Sequence, residues 1–323
     1  MKLSEYKNFS VKEPFYEYKI IKTKAQFDEA YKTLKSNNEH LIFRGLREAR
    51  FKIFTSGQRE WITKDLGAQI EYVDFIQRIL ENIKKNKILH DYYLALNVIP
   101  NDLLYLSFLQ HYGSPTPMID FTHDLDTALF FAYYNMEQND THDEIGDYVS
   151  LYWIDTKDFN TNGLFDMINL YNNIFKSDDY KEFLKKIKQI KHGSYNKDTT
   201  FIDFISELVK WGDENGISGV NIGLYDGVFS KTIPSFCKSR HKSLVWANLN
   251  LIAQKGCFIN YNRADVPLED YLKINHLPNI HCIDIPKSFE KYVGERINKK
   301  HEDIFPQEED IAQNSYHEYL KTF

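Results

Sequence analysis

A chain of 323 residues with 42% hydrophobic and 15% aromatic content can bury a sizeable core, which excludes a disordered chain despite its many charges. Lys+Arg 40 against Asp+Glu 46 leaves a net charge of −6, and this mild acidity excludes a protein whose whole surface clamps nucleic acid. Cys237, Cys257 and Cys282 are odd in number and lack CxxC spacing, so they read as reduced thiols of a cytoplasmic protein rather than a disulfide framework.

The opening "MKLSEYKNFSVKEPFYEYK" has no apolar h-region, and no apolar run approaches the ~18 residues of a membrane span, so no membrane partner is expected. "FYEYKII" predicts a strand and "KAQFDEAYKTLKS" an amphipathic helix through Phe27, Ala30, Tyr31 and Leu34. "HLIFRG" predicts a short strand that delivers Arg44 and Gly45 at its end. "FKIFTSGQREW" reads as an extended segment with a turn at Ser56-Gly57, and residues 66–94 as one long helix. A second helix, capped near Asn101-Asp102, runs through "LLYLSFLQHY" and stops at Gly113.

"MIDF" is then a buried strand, and Asp124 caps the helix "LDTALFFAYYNME" with Asp126 in its first turn. "DYVSLYWI" is a further strand. Residues 156–200 turn Lys- and Asn-rich with helical patterning and read as a peripheral helical insertion. "GVNIGLYDGVF", "GCFINYN" and "IHCIDIP" read as strands, with a helix or turn at 242–253, and a charged helix and tail follow. Strands scattered among helices predict one α+β domain over 1–323, with a mixed or antiparallel core sheet, surrounding helices and the insertion.

The chemistry gathers at element ends. Arg44 leaves a buried strand and can project a planar fork toward a phosphate or carboxylate, while Gly45 permits close approach. The plainer reading pairs Arg44 with a carboxylate such as Asp120. Gln110 and His111 end a helix, where the dipole favours a protonated imidazole. Asp120 and Thr122 alternate with Ile119 and Phe121, so they share one strand face. Polar groups of this density beside apolar walls have the composition of a ligand cleft. HxxxH, HExxH, zinc-spaced Cys/His, GxGxxG, GxxxxGK[ST] and GxSxG patterns are all missing from the sequence.

Several stretches resemble the FRG-domain family, named for its Phe-Arg-Gly motif. They are "LIFRGL" at 41–46, "FTSGQRE" at 54–60 with Arg59, "LSFLQHYGSPTPMIDFTHDLDTALFFA" at 106–132, "LIAQKGCFI" at 251–259 and "DIFPQEEDI" at 303–311. One departure is "NLNL" at 248–251, where the family usually carries basic residues. The order Arg44-Gly45, then "DFT" before "ALFFA", also resembles arginine-type ADP-ribosyltransferases. That second resemblance implies an ADP-ribosyltransferase-like fold and a nucleotide cleft with NAD as cofactor. Arg44, Gly45, Arg59, Gln110, Tyr112 and Thr122 would bind it, with Phe54 or Tyr112 stacked on the nicotinamide ring.

Gln254 stands at the transferases' catalytic Glu position and carries no charge; Asp120 and His111 are the other catalytic candidates. The implied activity is ADP-ribosyl transfer to a protein acceptor, or NAD hydrolysis, in a bacterial toxin or antiphage role. The alternative is a non-catalytic ligand sensor or protein-interaction module in which the same residues form a structural polar network.

Overall fold

The structure, a computed structural model, describes residues 2–95, 102–137, 143–156, 222–226, 249–274 and 280–307. The chain divides into two compact units, Met1–Thr156 with Ile222–Phe323 and Lys157–Asn221. All but Thr156 of the helical excursion expected at 156–200 lies outside the described residues, as does Cys237. Among the described residues no helix is long and apolar enough to cross a membrane.

Seven strands of the first unit form one mixed sheet, β1 (Glu17–Ile20), β2 (Leu41–Leu46), β3 (Met118–Thr122), β4 (Tyr148–Asp155), β5 (Ile222–Asp226), β6 (Gly256–Tyr261) and β7 (His281–Pro286). Their order is β1-β7-β4-β2-β3-β6-β5, and every pairing is antiparallel except β1 with β7. Eleven helices among the described residues surround it: α1 (Phe9–Lys12), α2 (Lys24–Ser36), α3 (Ser56–Thr63), α4 (Tyr72–Lys84), α5 (Lys87–Ala95), α6 (Asp102–His111), α7 (Leu125–Tyr133), α8 (Leu249–Ala253), α9 (Leu268–Ile274), α10 (Glu290–Ile297) and α11 (His301–Ile304). This is an α+β fold with a mixed sheet.

The main core lies on one face of the sheet. Phe43, Val149, Leu151, Ile283 and Ile285 meet Phe27 and Leu34 of α2, Leu125 and Leu129 of α7, and Val293 and Ile297 of α10. β4 is covered on both sides, so its residues are buried almost without alternation. On the opposite face its Ser150 meets Lys12, whose ammonium is fully buried. Lys12 Nζ donates to the Ala49 carbonyl at 2.9 Å, Ser150 Oγ at 2.7 Å and Asp284 Oδ1 at 2.6 Å. The rings of Tyr6, Tyr16, Tyr18 and Tyr152 surround it, with centroids 5.1–6.0 Å away.

Two expected elements differ. Residues 56–63 are helical rather than extended, because Thr55 and Gln58 form a capping box: the Thr55 hydroxyl accepts from the Gln58 N–H and the Gln58 amide oxygen accepts from the Thr55 N–H. The single helix expected at 66–94 is a short 3-10 turn, α4 and α5. Asn86 accepts the Leu89 N–H and so opens α5 as a separate helix.

Asp124 does precede α7, but its carboxylate does not cap the helix backbone. Its Oδ2 accepts from the Thr127 hydroxyl at 2.8 Å and lies 3.2 Å from Lys299 Nζ. Burial raises this carboxyl, and the Thr127 and Lys299 contacts more than reverse it, so it sits below the ordinary aspartate value. A depressed folded-state value gives stability that is present above the ordinary carboxylate range and lost as pH falls through the folded value. Asp124→Asn is therefore expected to cost about 1.5–3 kcal/mol at neutral pH, the scale of a hydrogen bond to a charged group. Urea unfolding across pH should show the gap from wild type closing in acid, while a gap independent of pH would reject the ion-pair account.

Candidate functional site

β2 and β3 are hydrogen-bonded neighbours at one register position, Phe43 with Thr122, whereas β2 pairs with β4 over six positions and β3 with β6 over five. Beyond Phe43 the two strands part, and a cavity of about 760 Å³ lies against both. That volume falls within the roughly 300–1,000 Å³ of small-molecule sites. Arg44, the next residue on β2, bridges the gap: its Nη1 donates to the Asp120 carbonyl of β3 at 2.5 Å. The guanidinium thus replaces the backbone donor that a continued ladder would have supplied.

Asp120 itself is held from a third element. Gln110, near the end of α6, donates its Nε2–H to Asp120 Oδ2 at 2.7 Å. The Gln110 amide oxygen accepts from the hydroxyls of Thr116 and Ser56, which fixes the orientation of the whole amide. Gly113, at φ +76°, stops α6 so that residues 114–117 can turn back into β3. Gln110 therefore positions Asp120.

The Asp120 carboxylate stays accessible, with its side chain 57% exposed and 3.9 Å from Arg44 Nη1. Arg44 is the more enclosed partner, and its buried Nε–H has no hydrogen-bond partner. Burial lowers the Arg44 guanidinium below its ordinary value; Asp120 opposes this, and the Arg59 charge adds to it. Arg59 of α3 lines the same cavity and is exposed. Among the described residues it donates only to the Phe54 carbonyl, at 2.8 Å. Loss of hydration lowers it too, with Asp120 opposing. An enclosed guanidinium with an unpartnered N–H, and a second, exposed guanidinium lining the same cavity, make a site that gains from an incoming anion.

Of the residues expected to form the site, Arg44, Gly45, Arg59, Gln110, His111, Asp120, Thr122 and Gln254 line the cavity. Tyr112 does not; it is 63% exposed, with its ring on Phe108 and His111. Gly45 serves packing rather than ligand approach: a Cβ there would stand 2.0 Å from the Ala128 carbonyl oxygen of α7. Thr122 is engaged internally, donating to the Gln254 carbonyl at 2.5 Å and accepting the Asp124 N–H at 2.9 Å. Gln254 in turn donates its Nε2–H to the Ile304 carbonyl at 3.1 Å. His111, at the exposed end of α6, runs against the helix-dipole expectation. Partial burial lowers its imidazole below the ordinary value, and the Asp120 charge only opposes that.

Sequence reasoning missed several lining residues, among them Lys52, Phe131, Asn250 and Phe305. Lys52 is paired with Asp270 at 2.9 Å. Phe131 and Phe305 meet edge to face, with centroids 5.9 Å apart. The "ALFFA" pattern identified Phe131 only as an apolar helix residue, and Asn250 and Phe305 come from far along the chain.

Residues 39–141 match the family model of the FRG domain. No curated protein and no solved structure matches the chain. The matched stretch includes Arg44, Arg59, Gln110, His111, Asp120 and Thr122, while Leu3, Ser4 and Glu5 before it and Asn250, Gln254 and Phe305 after it also line the cavity. The chain carries an FRG domain over residues 39–141, and that stretch supplies Arg44, Arg59 and Asp120 of the cavity.

Proposed function

We propose that the cavity binds a phosphorylated nucleotide such as NAD, with its phosphates on Arg44 and Arg59. The observation that carries this reading is the buried, unpartnered Nε–H of Arg44, with the exposed guanidinium of Arg59 lining the same cavity of nucleotide size. Phe54, Phe131 and Phe305 line the same cavity and offer aromatic surface to a planar ring. The reaction we assign is cleavage of the bond between the nicotinamide nitrogen and the ribose carbon. The bonding pair leaves with nicotinamide, and the oxygen of water or of a protein acceptor bonds to that carbon. Of the two carboxylates that line the cavity, Glu5 and Asp120, we assign to Asp120, beside Arg44, the stabilisation of the developing oxocarbenium ion and the acceptance of the incoming oxygen's proton. Gln254 carries no charge for that task.

A structural polar network is the competing reading, and the Arg44 bond across the strand gap favours it. Arg44→Lys separates the two, because it keeps the charge and loses the planar fork. Nucleotide binding predicts that the variant loses roughly tenfold or more in NAD affinity by titration calorimetry, since a charge-assisted hydrogen bond is worth about 1.5–3 kcal/mol. Its melting temperature should stay close to that of the wild type. Unchanged affinity in a variant that melts normally removes Arg44 from the site. A large drop in melting temperature, with no NAD binding by the wild type, supports the structural network instead. Release of nicotinamide by the wild-type protein tests the cleavage step.

A further inference from the structure

The part of the cavity wall that comes from α8 carries a group the phosphate site does not use. Asn250 lines the cavity and is half-buried, and its carboxamide has no hydrogen-bond partner among the described residues. Its neighbour one turn on, Gln254, has its amide N–H committed to Ile304. Phe131 and Phe305 line the same cavity. An unpaired carboxamide presents a donor and an acceptor side by side, which is the complement of a nucleobase edge rather than of a phosphate.

The strand register gives the spacing. Arg44 is bonded to the carbonyl of Asp120, and the turn after α8 is bonded through the Gln254 carbonyl to Thr122. Asp120 and Thr122 lie two residues apart on β3, which is about 7 Å along a strand. The anion-binding wall and the turn that follows the amide-bearing helix are therefore anchored to neighbouring positions of the same strand.

We infer that Asn250 reads the edge of an adenine base and makes the cavity selective for adenine nucleotides; the inference rests on the nucleotide-binding reading above. A carboxamide satisfies both its donor and its acceptor on the N6 and N7 positions of adenine. Guanine presents two acceptors, O6 and N7, on the corresponding edge, so one half of the Asn250 amide goes unmatched. The aromatic rings of Phe131 and Phe305 supply the apolar flank that a base needs.

Titration calorimetry of the full chain with ADP, GDP and inorganic pyrophosphate tests this. The wild type is expected to bind ADP roughly tenfold or more tightly than GDP, the scale of one bidentate base contact. Asn250→Ala should bring ADP affinity down to that of GDP and leave pyrophosphate affinity unchanged. Asn250→Leu, close to Asn in size, should do the same if truncation to Ala loosens the wall. An ADP affinity that neither variant alters, or an equal loss for ADP and GDP, overturns the Asn250 assignment while the anion site stands. Failure of the wild type to bind pyrophosphate or either nucleotide removes the site, and the inference with it.

Discussion

Lys12→Met is expected to lower the unfolding free energy by roughly 3–5 kcal/mol, because it leaves the Asp284 carboxylate buried without its cation. Both side chains are fully inaccessible, and their contact is 2.6 Å. Burial pulls the ammonium down, but the acidic groups around it, Cys282, Tyr152 and Asp284, more than offset this and hold it above the ordinary lysine value. A raised folded-state value gives stability that is fully present below the ordinary lysine value and lost only as pH rises through the folded one, so the pair is intact at neutral pH. The Asp284 carboxylate would keep the hydroxyls of Ser150 and Tyr18, both at 2.5 Å, but hydroxyls do not neutralise a charge. Adding Asp284→Asn to Lys12→Met is therefore expected to recover part of the loss, as read by urea unfolding of all four members of the cycle. A double variant as unstable as the sum of the singles would show that charge pairing is not what Lys12 contributes.

Gly45→Ala is expected to destabilise by about 3 kcal/mol or more, at the upper end of overpacking effects. The added Cβ would stand 2.0 Å from the Ala128 carbonyl oxygen and 2.6 Å from the Ala132 nitrogen, both backbone atoms of α7. Neither can swing aside, so α7 must move off the sheet and give up part of its packing through Leu125 and Leu129. Gly294 is the control. It lies in α10 with nothing within 4 Å of its Cβ position, and Gly294→Ala is expected to be neutral or to stabilise by up to about 1 kcal/mol. Thermal unfolding of the two variants should separate them clearly. Similar melting temperatures would mean that β2 and α7 are not held at the spacing seen here.

How much of this was legible in the sequence varies with the range of the interaction. α2 could be read to the residue, because its apolar stripe and the Thr23–Gln26 capping box are local. β3 and the stop of α6 were equally plain from alternation and Gly113. The start of α3 was missed although its capping box is local too, since the apolar "FKIF" before it suggested a strand that continued. At the cavity, Gln110 and His111 could be singled out because they stand at the end of α6, and Arg44 and Asp120 because they are charged residues in otherwise apolar strands, although β2 runs on to Leu46 past the end expected at Arg44-Gly45. The sequence has no means of saying that Gln110 spends its amide on Asp120, or that Gly45 faces a helix rather than a ligand. Lys12 gives no sequence signal at all: it lies in a polar stretch, and only the meeting of β4, β7 and α1 makes it a core residue.

The parallel pairing of β1 with β7 bears on how the chain is made. Lys12 and Asp284 are 272 residues apart, and the strand that flanks β1 is the last one described. At about 5–20 residues per second, a ribosome needs on the order of tens of seconds to deliver Asp284 after Lys12. Throughout that interval the N-terminal segment has neither its ladder nor its counter-ion, and the rings of Tyr6, Tyr16 and Tyr18 have nowhere to bury. Contacts of such long sequence separation also form slowly, because the closure entropy comes before any reward. The segment around β1 is thus exposed to holdase chaperones and to mispairing, and the sheet closes on β1 only once β7 has been made.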